Sequence, residues 1–193
     1  MRHTIIRLIG THLRPGAAVS WQGLTFDFNG VIFDGGDFRG AEFSSGLAVF
    51  DGAEFCSGTV RFNHAKFSGA EVYFGGAKFC GGIRFVRSDF SGGTVSFRDS
   101  ELSNGTIRFD GAEFSGGTVN FNRAKFSGGK VSFDAAQFSG GEVSFSGTVF
   151  SGGEVSFAGA KDWSHPPIFS WEGKPPAGVV LPVQPSEERK GKL

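Results

Sequence analysis

From Phe43 to Phe157 the chain returns to an apolar centre at alternating spacings of seven and five residues, as in FSGGTVSF at 90–97 and FSGGTVNF at 114–121. The residue two before each centre is small or apolar, so that Ala124-Lys125-Phe126 is followed by Val131-Ser132-Phe133. Apolar residues two apart with polar ones between them mark a half-buried strand, because successive side chains of a strand point to opposite sides. Self-similarity at a 12-residue period means that each unit buries its apolar edge only by stacking on its neighbours. Gly and Asn recur at regular corners, where turns need backbone conformations that other residues resist. No 3.6-residue periodicity runs through the array.

The array starts more simply, with Phe28, Phe33, Phe38 and Phe43 at a plain spacing of five and Val31, Gly36 and Ala41 two ahead of the last three. Later, two extra residues precede each Val-type unit. A small residue, any residue, Leu or Phe, then two more resembles the motif of the pentapeptide-repeat family, and the resemblance runs through most of residues 24–162. Near-exclusive Phe and the Gly-Gly insertions are similar to a bacterial, actinobacterial-type subgroup of it. The resemblance implies an all-β fold, a right-handed quadrilateral parallel β-helix with four pentapeptide faces to a turn.

Assigning successive centres to four faces places Phe28, Phe50, Phe74, Phe97, Phe121 and Phe145 on the first and Phe38, Phe62, Phe85, Phe109, Phe133 and Phe157 on the third. The inner small positions on these faces are mainly β-branched (Val72, Val95, Val119; Val60, Ile83, Ile107). On the other two they are mainly Ala. Matching opposite faces predict a rectangular cross-section. Turns after the first take 24 residues, and 23 centres make about six turns, a rod of roughly 28 Å at a strand spacing of about 4.8 Å. Leu102 alone interrupts the Phe series, and the six-residue step from Phe79 to Phe85 predicts one pinched corner.

The expected organisation is an N-terminal cap over residues 1–23, the β-helix over 24–162, and a C-terminal cap with a flexible Pro-rich tail over 163–193. Caps are needed because end turns expose unpaired strand edges and apolar rings. Ile5, Ile6, Leu8, Ile9 and Trp21 are assigned to the first cap, and Trp163, Phe169 and Trp171 to the second. From Lys174 onward the chain reads as extended or disordered, with no amphipathic C-terminal helix.

Formal net charge is zero, and residues 24–162 carry 16 acidic against 12 basic side chains. A nucleic-acid binder shows a basic surplus, so no direct nucleic-acid binding is expected. The longest N-terminal apolar run is short and interrupted by Arg7, so no membrane span or signal peptide is expected and the localisation expected is cytoplasmic.

No catalytic constellation emerges. His64 and His165 are far apart on the four-face arrangement, no paired-His motif is present, and neither a metal nor a cofactor is expected. The Gly-Gly pairs lead into no helix carrying Lys-Ser or Lys-Thr, so they read as corners rather than phosphate loops. Ser91, Ser115, Ser127, Ser139 and Ser151 repeat after their Phe residues, as structural corner residues do.

Two features break the repeat. Cys56 and Cys80 replace that corner Ser and lie one turn apart, so they stack. A disulfide is geometrically feasible, while a reducing compartment favours two stacked thiols, which is the expectation. On the third face the residue before each Phe is Arg61, Arg84 and Arg108 on consecutive turns. The second face instead alternates Glu54, Lys78, Glu101 and Lys125, as expected of a solvated surface. Stacked like charges need an offset: solvent, a nearby carboxylate such as Asp110, or an acidic partner. The column is the candidate partner-binding site. The functional expectation is a non-enzymatic interaction module, a rigid rod with a protein partner and no oligomeric state assigned. The alternative is a DNA mimic of the gyrase-interacting, fluoroquinolone-resistance kind, whose strongly negative surface this chain lacks.

Overall fold

Stacking of the Phe centres organises the whole molecule. The computed structural model of the chain describes residues 2–183. It is a β-solenoid of about six turns with about 24 residues per turn, built almost entirely of parallel strand pairs. On one side Thr25–Asp27, Leu47–Val49, Lys66–Tyr73, Asp89–Ser96, Thr118–Asn120 and Glu142–Phe145 stack in order. On another, Gly36–Asp37, Thr59–Arg61, Gly82–Arg84, Thr106–Arg108, Lys125–Ser132 and Val149–Ser156 do the same. Valine lies over valine through the register, as in Val95↔Val119 and Val119↔Val143.

The centres form four aromatic columns. In the first, Phe74, Phe97 and Phe121 repeat at centroid spacings of 4.8 Å with nearly parallel rings. In the third, Phe62, Phe85 and Phe109 repeat at 4.9 and 5.0 Å. Rings of these two columns meet edge to face, as Phe85 and Phe97 do at 5.8 Å and 89°. Such offset and edge contacts are the arrangements that aromatic quadrupoles favour. Leu102 takes a Phe place between Phe79 and Phe126 through the pairs Leu102↔Phe79 and Leu102↔Phe126. Where Ser88 and Thr148 replace an inner Ala, each hydroxyl donates to a carbonyl of the preceding turn, Phe62 at 2.7 Å and Phe121 at 2.8 Å. No polar atom is therefore stranded at those positions.

The shortened step behaves as predicted. Pairing is offset by 24 residues at Phe55↔Phe79 and by 23 at Thr59↔Gly82. Between them the Cys80 and Gly81 amides both donate to the Phe55 carbonyl. Corners elsewhere use left-handed backbone. Gly supplies most of them, yet His64, Arg87, Asp99, Arg123 and Ala135 hold φ of 54–59° with a side chain attached.

The N-terminal cap is an α-helix, α1 (Arg2–His12). Ile6, Ile9 and Leu13 are buried, while Ile5 and Leu8 face outward. α1 lies against Gly36–Asp37, the open edge of the first turn. A methyl group at Gly10 would collide with the Asp37 carbonyl, and one at Gly36 would press on Ile6. Close approach here thus depends on glycine from both partners.

At the other end Phe169 stacks on Phe145 at 5.4 Å, and Trp163 and Trp171 set their edges on Phe157 and Phe150. Beyond Lys174, where the chain is expected to be extended or disordered, an extended segment docks on the last turn. Val179–Val180 pairs with Val155–Ser156, and Val179 is buried. A β-branched residue over Val155 continues the inner column for one more turn, which a Pro-rich composition does not reveal. Residues 184–193 of the expected tail lie outside the described residues.

Candidate functional site

The outward residues of the strands Thr59–Arg61, Gly82–Arg84 and Thr106–Arg108 form the candidate site. Inner Val60, Ile83 and Ile107 fix the strand faces, so the neighbouring arginines must point to solvent. Register places Arg61 beside Arg84 and Arg84 beside Arg108. All three are exposed.

Their surroundings differ. Asp110, the carboxylate that the sequence offers as counter-charge, clamps Arg108 through both Nε and a terminal nitrogen. It also accepts from the Ser132 hydroxyl of the next turn. Arg61 and Arg84 make no ion pair among the described residues. At the N-terminal end of the column Asp37 is engaged by Arg39 at 2.8 Å and by Arg14 at 3.9 Å. The Arg39 hydrogen bonds hold the Asp37 carboxyl down to about 2, against the opposing effect of partial burial.

Folding of α1 adds a residue that the repeat pattern cannot show. Arg7 lines a cleft of about 270 Å³ together with Gly35, Gly36, Thr59 and Arg61. Asp34 and Asp37 complete its wall. Arg7 likewise makes no ion pair among the described residues. The periodicity of Ile6, Ile9 and Leu13 carries the signal that would have placed it, since those positions set one face of a helix.

The other faces look different. On the second, Glu54, Lys78, Glu101 and Lys125 alternate in direct register, and Lys78 reaches Glu54 at 3.0 Å. At a corner after the first face, Arg123 bridges back to Asp99 of the previous turn, and this hydrogen bond lowers the Asp99 pKa. The exposed large apolar side chains lie at the two ends of the rod: Ile5, Leu8, Val19, Leu24 and Ile32 at one, Val149, Ile168, Val180 and Val183 at the other. Among the described residues, then, the shaft is polar.

Cys56 and Cys80 occupy successive turns with Cα atoms 4.3 Å apart, and the structure joins them in a disulfide. This differs from the expectation of stacked thiols. Register stacking alone brings the two Cα atoms to about the lower limit for such a bond, at the pinched corner. Cys56 is exposed and Cys80 half-buried. Among the described residues there is no group of three or more His, Cys, Asp or Glu side chains placed to hold a metal ion, and no helix is long and apolar enough to cross a membrane. His64 sits at a corner of the second turn and His165 beyond the last repeat centre, Phe157, beside Ser164.

In sequence comparison no curated protein matches the chain. A family described as pentapeptide repeats matches in nine copies over residues 28–78 and 109–161, more than half of the chain. The stacked parallel turns and four aromatic columns are the architecture that this repeat builds, and the chain belongs to the pentapeptide-repeat family.

Proposed function

We propose that this chain is a non-enzymatic interaction module whose third face is recognised by a protein partner. The β-solenoid supports the coarser part, a structural or interaction role: its interior is filled by stacked rings, and what varies from turn to turn is the outward surface. The observation that carries the choice of face is the in-register pair Arg61 and Arg84, neither of which forms an ion pair among the described residues, while the second-face column alternates in sign. Stacked like charges destabilise a sheet. A partner supplying carboxylates would remove that cost.

The test is affinity capture from cell lysate with the intact protein beside an Arg61→Ser, Arg84→Ser, Arg108→Ser variant, with DNA gyrase probed in the eluate. A protein captured by the first and lost by the second supports the reading. Equal capture by both rejects this face, and gyrase retained by both would favour the DNA-mimic alternative. The formal net charge of zero argues against that alternative.

A further inference from the structure

The cationic strip on the third face is short and bounded. Arg61 and Arg84 stand on adjacent turns, about 4.8 Å apart along the rod. α1 sets Arg7 across the cleft from Arg61, beside Thr59 and the Gly35–Gly36 backbone. Beyond Arg61 the column continues to Asp37, which Arg39 already holds, and beyond Arg84 to Arg108, which Asp110 already neutralises. Asp134 follows on the turn after Asp110, so the face becomes acidic toward its C-terminal end. The unpaired charge therefore extends over about two rungs, roughly 10 Å.

That length and spacing select among acidic partners. A nucleic-acid strand carries a continuous phosphate track, which beyond Arg84 would run alongside Asp110 and Asp134. An extended strand repeats its side chains on one face about every 6.8 Å, out of step with the arginines. An α-helix advances about 1.5 Å per residue, so carboxylates at i and i+3 or i+4 are displaced by about 4.5 or 6 Å, which brackets the rung spacing. Arg forms charge-assisted, bidentate bonds to carboxylates.

We propose that Arg7, Arg61 and Arg84 form a docking strip for an acidic α-helix of a partner protein, laid along the rod axis with carboxylates one helical turn apart. This rests on the reading of the chain as an interaction module and names the partner's chemistry. Arg61 and Arg84 take the two carboxylates of the helical stripe. Arg7 closes on the adjacent carboxylate from the side of the cleft.

The test uses fluorescein-labelled synthetic helical peptides and the full chain, with anisotropy read at low salt. One peptide carries Glu at i, i+4 and i+7; its isomer has the same composition with the Glu residues dispersed around the helix. A labelled 20-base-pair DNA duplex is the third probe. The striped peptide should bind at least about tenfold tighter than the isomer, as expected if one desolvated charge pair is gained. Arg61→Ser with Arg84→Ser should weaken it by about tenfold or more and Arg7→Ser by about threefold. Lys125→Ser, on the second face, should leave it unchanged. These side chains are exposed, so unchanged circular dichroism is required of every variant. No binding of the striped peptide, equal binding of the isomers, equal binding by the arginine variants, or tighter binding of the duplex would each overturn the proposal. Capture of a lysate protein that depends on the arginines, with no peptide binding, would reject the acidic helix and leave the module reading standing.

Discussion

Truncating Phe97 tests whether the aromatic columns carry the stability of the rod. Phe97 is fully buried, stacks on Phe74 and Phe121 at 4.8 Å each, and has Phe79, Phe85 and Phe109 within 6.1 Å. Phe→Ala substitutions in cores cost about 3–5 kcal/mol, more where the walls cannot collapse. Here the walls are parallel strands whose spacing is set by backbone hydrogen bonds, so Phe97→Ala should fall near the top of that range, about 4–5 kcal/mol. Phe97→Leu retains most of the volume and loses mainly the ring contacts, about 1–2 kcal/mol. Leu102 shows that a column accommodates Leu at one rung. Equilibrium urea unfolding followed by far-UV circular dichroism measures both, and in a thermal melt of a chain of this size the Ala variant should lower Tm by about 8–20 °C. A cost below about 2 kcal/mol for Phe97→Ala would show that the column collapses around the cavity. Equal costs for Ala and Leu would show that ring contact rather than filled volume carries the energy. Either result would refute the reasoning.

Three further outcomes are expected. Ala135→Gly relieves a left-handed side-chain-bearing corner, φ 54°, and should raise stability by about 1 kcal/mol in the same unfolding assay; a loss would mean that the side chain compensates its backbone strain. Asp37 has its folded pKa depressed from 3.8 to about 2, so its contribution is present above pH 4 and lost as pH falls through 4 to 2. In urea titrations over that window Asp37→Asn should flatten part of the acid loss, on the order of 1 kcal/mol after solvent screening. Reduction of the Cys56–Cys80 bond, which spans 24 residues, should lower stability by about 2–4 kcal/mol, with no effect of reductant on the Cys56→Ser, Cys80→Ser variant. Two thiols titrated by Ellman's reagent in the untreated folded protein would contradict the bond.

The sequence by itself determined the solenoid, its four faces, its turn length and the vertical neighbours of nearly every outward residue. The reason is physical: a parallel stack places residue i on residue i+24, or on i+23 across the shortened step from Phe79 to Phe85, so Cys56 over Cys80 and Arg61 over Arg84 are readable as arithmetic. The missing residue between Phe79 and Phe85 is readable in the same way. Only the tertiary structure decided what lies outside that arithmetic. α1 has its own 3.6-residue period and docks through Ile6, Ile9 and Gly10, so the proximity of Arg7 to Arg61 depends on how a helix sits on a strand edge. The division of the arginine column is also tertiary, because a flexible guanidinium chooses its carboxylate by local reach: Asp110 takes Arg108 and leaves Arg84 to solvent. Pairing of Val179 over Val155 is tertiary too, since a Pro-rich segment joins the stack only where a bare apolar end awaits it. Repetition specifies the interior of this protein, and its ends and side-chain pairings are settled by contacts that occur once.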